Sequence, residues 1–404
     1  MSRPPESRSP IRPARRVLFG FVAAGLGVFV AIILGELTLR LVSSGSTDYG
    51  FQPRFPYAVD SLVGWRHRPA GEFLYRAKEF TVRFRTNSEG FRSSVPFRDG
   101  GGDSTVVALL GDSFVQAIQV PEEETFGSLL ASQSRRYGVA QVQNYGVSNI
   151  GLVHYLTLYR GAVRHHHPDV VLICVTDQND IRNSACKPGP DGLDAHYIHD
   201  AADRVLDVGP YTFQREPAAT PDHSGLIGFL GVHSALYRRA MLVKARLGQS
   251  ENLVRYFPYD AYVFAEPHES GFGEHWRHAG WALRQLVCEI VADSSLPVIV
   301  LMPSSWTTSD RIWASLEKAY PGSGQLNRET VRDELAAVAA ATGTAFVDLA
   351  PVLRASHRAG ERPFFRLDGH LSPEGHRVVA GALGAWLSGA LPPPRLARDR
   401  PGVE

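Results

Sequence analysis

Three cysteines in 404 residues, Cys174, Cys186 and Cys288, are too few for a disulfide-built fold. Their odd number leaves at least one thiol unpaired within a monomer. None of their spacings is that of a metal site, and Cys174, inside an apolar run, reads as a small core residue. Charge of neither sign is in excess: 42 Lys and Arg face 41 Asp and Glu, a net charge of +1. That balance gives no basis for nucleic-acid binding. Internal repeats are lacking too. What is present is 44% hydrophobic and 21% charged, a globular composition. The length suits one large domain or two small ones.

One long uncharged run stands out. Val17 to Gly35, VLFGFVAAGLGVFVAIILG, is 19 residues without a charge. As a helix it would be about 28 Å long, close to the ~30 Å hydrocarbon core of a bilayer. Arg3, Arg8, Arg12, Arg15 and Arg16 precede it. A positive flank stays cytoplasmic, so the rest of the chain is expected across the membrane. A cleaved signal peptide is the competing reading, and a buried helix a third. A signal peptide has a shorter apolar core and a small-x-small cleavage site, which ELTLRLVSS does not offer.

Along the chain, residues 1–16 and 391–404 read as disordered tails, and 17–35 as the anchor. Residues 46–100 read as a β-rich accessory segment: EFTVRFR alternates Phe80, Val82 and Phe84 with polar neighbours. Asn87-Ser88-Glu89-Gly90 follows as a turn. Asp99 to Asp103, DGGGD, reads as a flexible joint. From Thr105 strands alternate with helices. The strands are TVVALLG, AQVQNYGV, DVVLICV, LPVIVLMP and TAFVDLA. The helices fall near 125–138, 152–164, 276–292 and 329–341. A last helix has Ser372 as N-cap and Pro373 at its first position. Strands joined by helices predict a parallel sheet covered on both faces. Residues 181–275, rich in Pro, Gly, His and Tyr, break the rhythm and read as an insertion within a domain at 105–390.

Ligands of such sheets bind beyond the C-terminal ends of the strands. The first strand ends at Gly111-Asp112-Ser113, the second at Asn144-Tyr145-Gly146-Val147-Ser148-Asn149, the third at Asp177-Gln178-Asn179-Asp180. RLDGHLSPEGH, with Asp368, His370 and His376, lies near the C-terminus. Each has a plain structural reading. Gly-Asp-Ser is a common turn, Asn179-Asp180 caps a helix, and Asp368-Gly369-His370 is a turn before the last helix. Together they supply a serine, amide and backbone donors, and an acid with a histidine, the parts of an acyl-transfer site. No Gly-Lys-Ser/Thr or G-x-G-x-x-G follows Ser113, which excludes a nucleotide loop. His165-His166-His167 reads as a solvated helix end, His376 as a surface or capping residue. Glu122-Glu123-Glu124 favours the start of the next helix through its dipole.

These blocks, over residues 105–390, resemble the SGNH, or GDSL-type, hydrolases. The anchor and the segment GWRHRP…TNSEGFR look like membrane-anchored bacterial members of that group. The resemblance implies a flavodoxin-like three-layer α/β/α fold with a five-stranded parallel sheet. It makes Ser113 the nucleophile, His370 its base and Asp368 the residue that orients His370. The oxyanion hole would be the N–H of Ser113, the Asn179 side chain and a second-block N–H. Aligned on Asn144, the family glycine falls at Asn149, with Gly146 and Gly151 as nearby alternatives. Asn tolerates left-handed backbone better than most residues. Asp112 supports the nucleophile turn outside the proton relay. Asp177 stands where the family often has glycine. The final block is Asp-x-His where many members have Asp-x-x-His; in an extended segment residues two apart point the same way. Such spacing occurs among polysaccharide O-acetyltransferase relatives.

The resemblance implies a membrane-anchored serine esterase acting outside the cytoplasm. A small acyl ester of an envelope glycan or lipid is the expected substrate. No metal or organic cofactor is called for. An O-acyltransferase with the same triad, or a catalytically inactive binding domain, are the alternatives. Oligomeric state is open.

Overall fold

The computed structural model describes residues 13–42, 57–77, 79–101, 104–184, 197–199, 205–208, 234, 236–237, 259–268, 272–320, 322 and 324–390. Most of the expected tails, most of 181–275, and Cys186 therefore lie outside the described residues. The chain divides into two compact units, one formed by Met1–Tyr49 with Thr220–Gly248, the other by Gly50–Ala219 with Gln249–Glu404.

In the first unit Pro13–Val42 is one continuous helix. Its stretch Val17–Arg40 is long and apolar enough, by length and composition, to cross a membrane. The helix runs past Gly35, where the uncharged sequence ends. Glu36 and Arg40 pair one turn apart at 2.7 Å, which favours continuation. Glu36 also accepts bonds from the Ser234 hydroxyl and the Leu236 N–H, both at 2.9 Å.

The second unit begins with two antiparallel hairpins. Tyr57–Asp60 (β1) pairs with Gly64–His67 (β2), and Glu72–Arg76 (β3) with Thr81–Arg85 (β4). The expected alternation holds in β4: Val82 and Phe84 are buried, Thr81, Arg83 and Arg85 exposed. Phe73 and Phe84 pack on Ile118, beside the first block. Of the DGGGD joint, Gly102 and Asp103 lie outside the described residues, and Asp99 and Gly100 both make contacts. The Gly100 N–H donates to the His166 carbonyl at 2.7 Å. His166 itself lies between Asp99 and Glu89, 3.0 Å from each. Only its neighbours His165 and His167 are exposed as a solvated helix end would be.

The central sheet is parallel and five-stranded, as expected. Its strands are Thr105–Gly111 (β5), Val139–Gly146 (β6), Val170–Thr176 (β7), Leu296–Met302 (β8) and Ala345–Asp348 (β9). The spatial order is β6-β5-β7-β8-β9, every pairing parallel. This is the flavodoxin-like order, with a crevice where direction reverses, between β5 and β7. Alternate residues of each strand serve opposite cores. Ala108, Leu110, Ile173 and Leu301 face the helices Leu152–Gly161, Phe272–Ala292 and Thr330–Thr342. Val107, Leu109, Leu172 and Val300 face Phe126–Ser134 and Pro373–Ala390. Burying each of these Val, Leu and Ile side chains contributes about 1.5–3 kcal/mol.

Some boundaries differ from the sequence reading. The helix expected at 276 begins at Phe272, because Phe272 and His275 extend its buried face. The helix at Leu152 stops at Gly161 and passes through a 3-10 turn, Val163–His166. Helices Asp310–Ala319 and Ala350–Arg358 were not anticipated; the first is short, strongly amphipathic and capped by Ser309.

Candidate active site

Register lines up the strand ends. Gly111 stands level with Gly146 on one side and Cys174 on the other. A Cβ on Gly111 would lie 2.3 Å from the Val115 Cγ2, and one on Gly146 only 2.1 Å from the Gln116 nitrogen. Both glycines let the turn after β5 fold down onto the sheet edge. Asp112, fully buried, caps the short helix Ser113–Gln116 by accepting the Phe114 N–H at 2.9 Å. The Thr176 hydroxyl also donates to it at 2.9 Å. Ser113 opens this helix, so its N–H has no acceptor within the helix.

His370 Nε2 lies 2.8 Å from Ser113 Oγ, and His370 Nδ1 lies 2.6 Å from Asp368 Oδ1. A carboxylate can only accept, so Nδ1 carries the proton in the neutral ring and Nε2 presents its lone pair to the serine. Burial pulls the His370 pKa down, but the Asp368 charge, its hydrogen bond and the Asp112 charge together leave it raised. The ring also packs on Phe114 at 5.2 Å.

The Asp-x-His pairing does not arise from an extended segment. Residues 366–368 form a turn and Gly369 has φ 86°. This left-handed glycine brings Asp368 back against the imidazole of His370. The turn is closed by the Phe364–Leu371 bridge and by the Phe365 N–H donating to His370 O at 2.8 Å.

The Asn179 amide donates to Asp112 Oδ2 at 3.1 Å and to Asp180 Oδ1 at 3.3 Å, which holds it beside the serine turn. Asp180 is buried; the Tyr155 hydroxyl donates to it at 2.6 Å and the Thr176 N–H at 2.7 Å. Burial first, then the Asp112 charge, push its carboxyl well above the usual range. In the second block the Gly146 N–H donates to Asn144 Oδ1 at 2.9 Å and the Gly151 N–H to His154 Nδ1 at 3.1 Å. Asn149 is left-handed, φ 60°, and its side-chain oxygen accepts from Arg182 and Asn183.

Asp177 has a clear structural use. It accepts the Ser304 N–H at 2.9 Å and the Thr307 hydroxyl, tying the end of β7 to the loop after β8. His376 is not exposed, but it does cap a helix, since Phe126, whose N–H it accepts, is the first residue of Phe126–Ser134. It is 1% exposed, stacks on Phe126 and accepts that residue's N–H through Nδ1 at 3.2 Å. Burial pulls its pKa down to about 3. Among the described residues no group of three His, Cys, Asp or Glu side chains could hold a metal ion.

Several contributors from the hairpin segment were missed. Arg92, fully buried, donates to the carbonyls of Gln116, Ala117 and Val120 behind the serine turn. Trp65 donates to Ser148 O at 3.0 Å, next to Asn149. Glu79 accepts the N–H groups of Arg366, Leu367 and Asp368. The segment GWRHRP…TNSEGFR contains Trp65 and Arg92, but the resemblance it carried assigned neither a role.

No protein-family model matches the chain, and no curated protein does. Among solved structures it is similar to a putative lipolytic protein of the G-D-S-L family from Desulfitobacterium hafniense, at 12% identity over 70% of this chain and 99% of that one, TM-score 0.35. It is similar to an acetylxylan esterase from Geobacillus stearothermophilus at 12% identity, covering 72% and 94%, TM-score 0.36. It is also similar to a lipase/acylhydrolase from Enterococcus faecalis at 13% identity, covering 72% and 98%, TM-score 0.37.

Proposed function

We propose that this chain is a serine ester hydrolase of the SGNH type, held to a membrane by its N-terminal helix and acting outside the cytoplasm. The observation that carries the reading is the unbroken line Ser113 Oγ, His370 Nε2, His370 Nδ1, Asp368 Oδ1, at 2.8 and 2.6 Å. Residues 105–390 form the catalytic domain and 46–100 its accessory segment.

Ser113 Oγ attacks the ester carbonyl carbon while its proton passes to His370 Nε2. Asp368 stabilises the imidazolium without taking the proton. The carbonyl oxygen becomes an oxyanion and accepts from the Ser113 N–H, the Asn149 N–H and the Asn179 amide. Asn179 redirects the longer of its two bonds, that to Asp180, toward the oxyanion. Collapse breaks the C–O bond, and the alcohol leaves with the proton from His370. Water then repeats the cycle on the acyl-serine and releases the acid. No step calls for a metal or an organic cofactor. The substrate is a small acyl ester of an envelope glycan or lipid, consistent with the arginine-flanked helix and an extracytoplasmic site.

The test uses the full chain in detergent, with a fluorophosphonate probe and p-nitrophenyl acetate. Labelling and hydrolysis are expected, both abolished in Ser113→Ala and strongly reduced in His370→Ala. An unmodified protein that neither labels nor hydrolyses would make this a binding domain. Supplying an acetylated glycan together with a free glycan acceptor distinguishes release of acetate from its transfer. Net transfer would replace the hydrolase reading with that of an acyltransferase.

A further inference from the structure

The turn bearing Asp368 and His370 presents three consecutive N–H groups, those of Arg366, Leu367 and Asp368. All three donate to one carboxylate, that of Glu79, at 2.8, 2.7 and 2.9 Å. Glu79 is far away in sequence, in the connection between β3 and β4. Beside it, the Phe80 ring packs on Phe365 at 5.1 Å. One short segment of the hairpin region thus grips both the main chain and the side chain of this turn.

We propose that Glu79 is a positioning residue of the catalytic site, holding the 365–370 turn so that Asp368 and His370 meet Ser113. The inference rests on the reading of Ser113 and His370 as nucleophile and base. Three N–H groups on one carboxylate are charge-assisted hydrogen bonds, stronger and more directional than neutral ones. The third N–H belongs to Asp368 itself, so the clamp acts on the residue that orients the histidine. Without it, the turn keeps the Phe364–Leu371 bridge and its left-handed glycine but loses its outer restraint. Misplacing a catalytic group by about 1 Å can cost on the order of 10²-fold in rate.

The experiment compares Glu79→Ala, Glu79→Gln and Glu79→Asp in the full chain in detergent. Hydrogen exchange at 366–368 reports the clamp itself. Hydrolysis of p-nitrophenyl acetate reports kcat, KM and the acidic limb of the pH profile. In Glu79→Ala, exchange at 366–368 accelerates and kcat falls about 10²-fold, with KM changed little. The acidic limb moves to lower pH, because Asp368 is no longer held against His370. The other charged group facing His370, Asp112, is unaltered, and His376 nearby is neutral. Glu79→Asp recovers part of kcat, and Glu79→Gln, which keeps one acceptor oxygen and the side-chain shape, falls between and serves if the alanine variant does not fold. Faster exchange with unchanged kcat and pH limb would overturn the inference, leaving Glu79 a local structural tie. Unchanged exchange would overturn it as well. An unmodified protein that neither hydrolyses the ester nor reacts with fluorophosphonate removes the underlying reading, and this one with it. An active protein indifferent to Glu79 removes this one alone.

Discussion

The guanidinium of Arg92 donates to the main-chain carbonyl of Ala117, the residue that ends the serine-bearing helix. Ala117 is left-handed, φ 53°, a conformation that costs a non-glycine residue about 1–2 kcal/mol. Arg92 also holds the carbonyls of Gln116 and Val120. Burial lowers its pKa to about 10, so it stays cationic at neutral pH.

Arg92→Met should therefore lower the melting temperature and slow fluorophosphonate labelling of Ser113 together. Each buried carbonyl left without a donor costs about 1–3 kcal/mol. Thermal melts and labelling rates on the same samples check this. A variant as stable and reactive as the original protein would show that the turn holds itself.

Gly369→Ala places a side chain where φ is 86°. The strain, about 1–2 kcal/mol, falls on the turn that pairs Asp368 with His370. The expected result is a kcat lowered by about 10²-fold with a folded protein. Circular dichroism beside ester-hydrolysis kinetics separates the two effects.

In the proposed mechanism His370 would act as base only when neutral, and its pKa is raised above the ordinary 6.5. Activity should fall as pH drops through that raised value. The same shift gives stability that is full below the unfolded pKa and lost as pH rises through the folded one. In Asp368→Asn burial is left opposed only by Asp112, so the acidic limb should move to lower pH. The maximal rate should fall by about 10⁴-fold, since the neutral amide favours the wrong tautomer. A pH–rate profile of both proteins measures each.

If Asn179 is the oxyanion donor proposed, Asn179→Ala should lower kcat by about 10²–10³. Asn179→Asp should do more, because a third carboxylate would join Asp112 and Asp180. It should destabilise the protein as well as inactivate it. Melting curves and kinetics on both variants test this contrast.

Asp177 is buried, and burial pushes its pKa up to about 6. Its ionised form is disfavoured on folding, so its cost is absent below the unfolded value and grows as pH rises through about 6. Asp177→Asn should gain stability relative to the original protein over that window. Denaturant midpoints at pH 4 and 7.5 would show whether the difference grows.

The sheet was legible because five apolar runs alternate with helix-period segments, and a parallel sheet buries both faces of every strand. Gly111-Asp112-Ser113 and Asp368-Gly369-His370 were legible as candidate site blocks because they are short and local. The resemblance paired Asp368 with His370, and the two do meet at 2.6 Å, although the cause is the left-handed Gly369 and not an extended strand. His376 misled only as to exposure, because its burial is set by packing of the last helix on Phe126. Helix Asp310–Ala319 was hidden by its brevity and charge.

The sequence by itself determined the fold class and the residue types that can carry acyl transfer. It also specified a helix long and apolar enough for a bilayer. Periodicity, turn residues and uncharged length are local properties, readable without contacts. Only the tertiary structure decided that Ser113 and His370 stand 2.8 Å apart, and that Arg92 and Glu79 grip the two turns that bear them. Those relations depend on strand register and on hairpins folding back across the chain, and a hydrogen bond between distant segments leaves no periodic trace in sequence.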